Sequence, residues 1–134
     1  MKRSIIGSTA LLILVAVASC QNPTTVSPMT DVAVTIPFQG NCPQMPATTN
    51  CANTAWAAVP GAVCGTGGRH RILWSGAHAF NIDFPHDRKS DLCSDNDHKT
   101  CRLKSLNHGS ASAFEYDITA QGCPTIDPYI IVLR

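Results

Sequence analysis

The sequence predicts an all-β fold: a small antiparallel β-sandwich with long disulfide-stapled loops. Three observations predict it. Beyond residue 30, apolar residues recur at every second position in several short runs. Clusters of Gly, Pro, Asn and Ser separate these runs. Six cysteines fall in the same stretch.

The elements follow in order. Val32, Val34 and Ile36 alternate with Ala33 and Thr35, and Pro37 stops or bends that strand. Arg71 to Trp74 is a short apolar run closed by Ser75-Gly76. Phe80, Ile82 and Phe84 alternate with Asn81 and Asp83, the pattern of a half-buried strand. Cys101, Leu103 and Ser105 alternate with Arg102 and Lys104. Phe114, Tyr116 and Ile118 alternate with Glu115, Asp117 and Thr119. Tyr129 to Leu133 is continuously apolar, as in a strand covered on both faces. No helical stripe follows residue 20. Thr54 to Val59 can form one turn before Pro60-Gly61 ends it. Two stretches, Gln39 to Arg69 and His86 to Thr100, do not fit as strands. Loops of that length in a small domain are functional or cross-linked.

Lys2 and Arg3 precede an uncharged apolar stretch, Ile5 to Ala18, shorter than the roughly 20 residues of a membrane span. It ends in Val17-Ala18-Ser19-Cys20. That ending resembles the lipobox of bacterial lipoproteins, with Val where the family prefers Leu. The resemblance implies a signal peptide over 1–19, cleavage before Cys20, a diacylglyceryl thioether on Cys20 and acylation of the new amine. The family retains proteins in the inner membrane with Asp after the cysteine, so Gln21 favours the outer membrane of a Gram-negative envelope. Ala16-Val17-Ala18 also suits ordinary signal peptidase, which would release a chain starting at Ser19, and an uncleaved anchor is a third arrangement. Residues 20–30 read as the lipidated cysteine and an uncharged tether with Pro23 and Pro28, and residues 31–134 as the β domain.

Composition excludes some functions. The chain of 134 residues has a formal net charge of +1 and only 14% charged residues. Without Lys2 and Arg3 the balance becomes −1. Such a domain has no charge-based affinity for nucleic acid or for an anionic membrane surface. Membrane association would come through the N-terminal lipid.

The cysteines divide by parity. Setting Cys20 aside leaves Cys42, Cys51, Cys64, Cys93, Cys101 and Cys123, an even set that reads as three disulfides. Six cysteines allow 15 pairings. Proximity and loop content favour Cys93–Cys101, Cys42–Cys51 and Cys64–Cys123. No C-x-x-C occurs, so neither a thioredoxin centre nor a zinc knuckle is indicated.

Candidate chemistry is sparse. His86, Asp95, Asp97 and His98 gather histidine and carboxylate ligands within one polar stretch, as do Asp87 and Asp91, and are weak metal candidates. They lack calcium-loop order and no H-E-x-x-H occurs. Arg88, Lys89 and Lys99 offset the acids, so a salt-bridged surface loop is the plainer account. Gly65-Thr66-Gly67-Gly68 lacks the Lys-Ser/Thr of a phosphate loop and reads as a turn. No G-x-S-x-G nucleophile elbow is present. Trp74 reads as a core residue, and Trp56, among alanines, as the exposed aromatic.

The stretch Ile72-Leu-Trp-Ser, then Phe80-Asn-Ile-Asp-Phe84, Phe114-Glu-Tyr-Asp-Ile-Thr and Gly122 to Val132 resembles small bacterial domains with a cupredoxin-like sandwich. An immunoglobulin-like sandwich fits nearly as well. A blue-copper site requires His and Met near a Cys of the last strands. No His or Met follows Cys123, so the resemblance implies a fold without electron transfer and without a cofactor. These features together predict a non-enzymatic envelope lipoprotein. Its loops 39–69 and 86–100 would engage another envelope protein or an extracellular macromolecule. The alternatives are an inhibitor of a lysozyme or protease, and a metal-binding domain using His86, His98 and nearby aspartates.

Overall fold

The computed structural model describes residues 28–85, 88–95, 97–106 and 112–133. Among these residues, ten strands and one short helical turn form an all-β fold. In order they are β1 (Thr30–Ile36), β2 (Phe38–Gln39), β3 (Cys42–Pro43), β4 (Val63–Thr66), β5 (His70–Gly76) and β6 (Asn81–Asp83). Then follow α1 (Lys89–Leu92), β7 (Thr100–Arg102), β8 (Ser112–Glu115), β9 (Asp117–Thr119) and β10 (Tyr129–Leu133). Among the described residues no helix is long and apolar enough to cross a membrane.

Two three-stranded sheets, ordered β1-β5-β7 and β4-β10-β8, supply most of the core. The pairs β2-β3 and β6-β9 form two smaller sheets. The pairing is not purely antiparallel, contrary to the sequence expectation. β1 runs parallel to β5 in the register Thr30↔His70 to Ile36↔Gly76, and β10 runs parallel to β4. Alternation could not reveal this, because side chains point to opposite faces with period two in either direction of pairing.

The alternation itself holds. Val32, Val34 and Ile36 of β1, Ile72 and Trp74 of β5, Ile82 of β6 and Ile118 of β9 face one buried cluster with Leu92, Leu103 and Tyr116. β10 is covered on both faces, as its unbroken apolar run predicts. Ile130 and Val132 enter that main cluster. Ile131 enters a second one with Cys51, Ala62 and Cys64, against which Trp56, Val59 and Leu133 pack.

Two segments read as loops contain regular structure. β4 lies inside the Gln39–Arg69 stretch, and its Val63, Cys64 and Gly65 are buried. Four residues ending Gly-Thr are too few to display an alternation. A Cβ at Gly65 would lie 2.5 Å from Leu103 Cδ1, so the glycine lets that buried leucine pack directly on β4. The His86–Thr100 stretch includes α1, which buries Leu92 completely.

Candidate functional site

All six cysteines of the domain are paired, as Cys42–Cys123, Cys51–Cys64 and Cys93–Cys101. The last matches the pairing that proximity favours. The other two correct it: Cys42 does not close on Cys51, and Cys64 does not reach Cys123. The reason is local. The β2-β3 hairpin pairs Gln39 with Cys42 and turns the chain at Gly40, whose φ is +61°. This carries Cys42 away from the following loop and toward the Ala120–Cys123 turn, where the two Cα atoms are 5.4 Å apart. Cys51 instead lies along β4, because Thr49 bridges Val63 in parallel and its carbonyl accepts from Cys64 N.

The first long loop is therefore a tied structure. Asn50 adopts a left-handed conformation, φ +59°, and its Nδ2 donates to Cys64 O at 2.8 Å. Thr48 Oγ1 donates to Val59 O at 2.5 Å, and Thr54 Oγ1 to Cys51 O at 2.6 Å. Side-chain bonds to nearby backbone compete with regular structure and stabilise turns of this kind. Trp56 is half-buried against the second cluster rather than freely exposed, and Met45 is 41% exposed beside Gly61. No residue from Val32 to Gly68 carries a formal charge, so this loop presents an uncharged surface.

The second long loop is held differently. Asp95 Oδ2 accepts from Thr100 Oγ1 at 2.6 Å, and Oδ1 accepts from Arg102 N at 3.0 Å. Burial raises the Asp95 carboxyl, but these bonds more than offset it and its pKa lies below the ordinary value. Asp97 Oδ1 accepts from Lys99 N, and Lys89 Nζ donates to the Asp97 carbonyl. Lys99 Nζ sits 4.2 Å from the Phe80 ring centroid. An open groove of about 360 Å³ lies between β6 and this loop, lined by Asp83, Phe84, Lys89, Asp95 and His98.

Of the four metal candidates, Asp95 and Asp97 are engaged in these loop bonds and His98 lines the groove with Asp95. His86 lies outside the described residues, as does Cys20. Among the described residues, the acid group that converges is a different one. Glu115, Asp117 and Asp127 bring one oxygen each within 4.8 Å of one another. Burial chiefly raises the Asp117 pKa, and the hydrogen-bonded Asp127 and the charges of Glu115 and Asp83 add to it. Three such oxygens are fewer than the six to eight a calcium ion takes. The i, i+2 spacing of Glu115 and Asp117 was visible in the sequence, whereas Asp127 joins them only through the Ile118↔Ile126 bridge.

No protein-family model matches the chain, and no curated protein is significantly similar to it.

Proposed function

We propose that the protein is a non-enzymatic bacterial envelope lipoprotein, anchored through Cys20. It presents its stapled β domain to another envelope protein or an extracellular macromolecule. The observation that carries this reading is the cysteine pairing. Six of the seven cysteines form three disulfides with one another, which fits an oxidising compartment, and Cys20 is the seventh. It stands where the lipobox pattern calls for the acceptor thiol. The two long loops support an interaction role, because disulfides and internal hydrogen bonds hold both in defined shapes. Ordering a binding loop in advance lowers the entropy cost of association.

The test is the intact mass of the native full chain before and after reduction. The reading expects a diacylated N-terminal cysteine and a gain of six hydrogens on reduction. An unacylated N-terminus at Ser19 would overturn the anchor. Photo-crosslinkers at Trp56 and His98, compared in intact cells, would then identify the partner.

A further inference from the structure

β1 is the edge strand of its sheet. Thr30 N donates to Arg69 O at 2.9 Å, which fixes the phase of the parallel ladder. Main-chain groups of Thr30, Val32, Val34 and Ile36 point to β5, and those of Asp31, Ala33 and Thr35 point away. Among the described residues no strand pairs with that outer side. Three N–H donors and three carbonyl acceptors line an extended edge seven residues long. Soluble proteins blunt such edges with Lys, Pro, bulges or a covering element. Thr30–Ile36 contains neither Lys nor Pro nor Gly, and its only charge is Asp31. Arg71 already neutralises that charge through bonds of 2.9 and 3.1 Å to the two carboxylate oxygens.

We infer that β1 pairs antiparallel with β1 of a second copy of this chain, about a two-fold axis at Ala33. The edge is its own complement. Centring on Ala33 sets Asp31 opposite the partner's Thr35 and Ala33 opposite the partner's Ala33, so all six main-chain groups of each chain are used. A two-fold interface requires such self-complementarity. The charges also agree. Each Asp31 faces a hydroxyl, and the two aspartates stand four residues apart, about 13 Å at the rise of a strand. The residue that meets its own copy at about 5.5 Å is the smallest and uncharged. On the core side, Val32 falls opposite the partner's Val34, a β-branched pair that continues the apolar layer. The pairing joins the two β1-β5-β7 sheets into one of six strands. It does not depend on the lipid, because a released chain has the same edge.

The oligomeric state of the full chain in detergent, by sedimentation or light scattering, tests this. The native protein gives the mass of two chains. Ala33→Lys, which brings two cations together at the axis, gives one, with its circular dichroism retained because Ala33 is exposed. In cells treated with a mild oxidant, Ala33→Cys gives a covalent dimer and Thr35→Cys does not. A native protein of one chain overturns the inference, whether its edge is bare or holds a strand from another protein. A dimer that persists in Ala33→Lys also overturns it.

Discussion

The indole Nε1 of Trp74 donates a hydrogen bond to the Tyr116 hydroxyl across 3.2 Å inside the main core. The two rings lie 5.2 Å apart, and Phe84 stands 6.3 Å from Tyr116. This pair lets two large aromatics with polar atoms fill the space between sheets without stranding either atom. Tyr116→Phe leaves the buried indole N–H without its acceptor. It is expected to cost about 1–3 kcal/mol in urea unfolding at neutral pH.

The same pair contributes to a loss of stability in alkali. Burial pushes the Tyr116 phenol up to about 12, with the Trp74 bond opposing. The unfolded phenol ionises near 10, so the native state holds its proton when the unfolded chain has lost it. This contribution is intact below about pH 10 and declines by about 1.4 kcal/mol per unit as pH rises toward 12. Unfolding midpoints measured over that range should fall in the native protein and fall less in Tyr116→Phe.

Asp117 is expected to limit stability at neutral pH. Its raised pKa, caused first by burial and then by Asp127, means that folding favours the protonated carboxyl. The contribution is therefore present in acid and lost as pH rises through the carboxylate range. Asp117→Asn should raise the melting temperature at pH 7, and the gain should vanish in acid. An unchanged melting temperature at pH 7 would show that solvent screens the trio.

Asp95 has the opposite sign. Its lowered pKa makes its contribution present at neutral pH and lost as pH falls through the carboxylate range. Asp95→Ala removes the acceptor for Thr100 Oγ1 and Arg102 N. It should cost about 1 kcal/mol and increase hydrogen exchange over residues 97–102.

The disulfides differ in the length of chain they close, with separations of 81, 13 and 8 residues. Paired Cys→Ala substitutions should destabilise in that order. Loop-closure entropy gives about 4.5 kcal/mol for Cys42–Cys123 and about 2.5 kcal/mol for Cys93–Cys101. Non-reducing peptide mapping should recover Cys42 joined to Cys123. A Cys42–Cys51 peptide would contradict the fold around the β2-β3 hairpin.

Much of the fold was legible because alternation marks which face is buried. Val32, Val34, Ile36, Ile82 and Ile118 all enter the core from strands read that way. The direction of pairing was not legible, since a parallel and an antiparallel partner impose the same period. The neighbour of β1 along the chain is not its neighbour in the sheet: β5 pairs with it from 40 residues away. Trp56 misled for a related reason. Its flanking alanines give no burial pattern, and it packs against a cluster of Cys51, Ala62, Cys64 and Ile131, the last from a strand far along the chain. At the candidate loops, the positions of the cysteines were visible but their partners were not. The turn at Gly40 acts on Cys42 from two residues away, and proximity counting cannot register it.

The Cys42–Cys123 link bears on how the protein must be made. A chain oxidised from its N-terminus as it enters an oxidising compartment presents Cys42 and Cys51 together long before Cys123 arrives. Thiolate exchange would join those two first. The native arrangement encloses both other disulfides between Cys42 and Cys123, so its longest loop can close only after nearly the whole domain has emerged. Where oxidation runs ahead of folding, the native set is reached only by thiol–disulfide exchange, and a host lacking a disulfide isomerase should then accumulate Cys42–Cys51 chains.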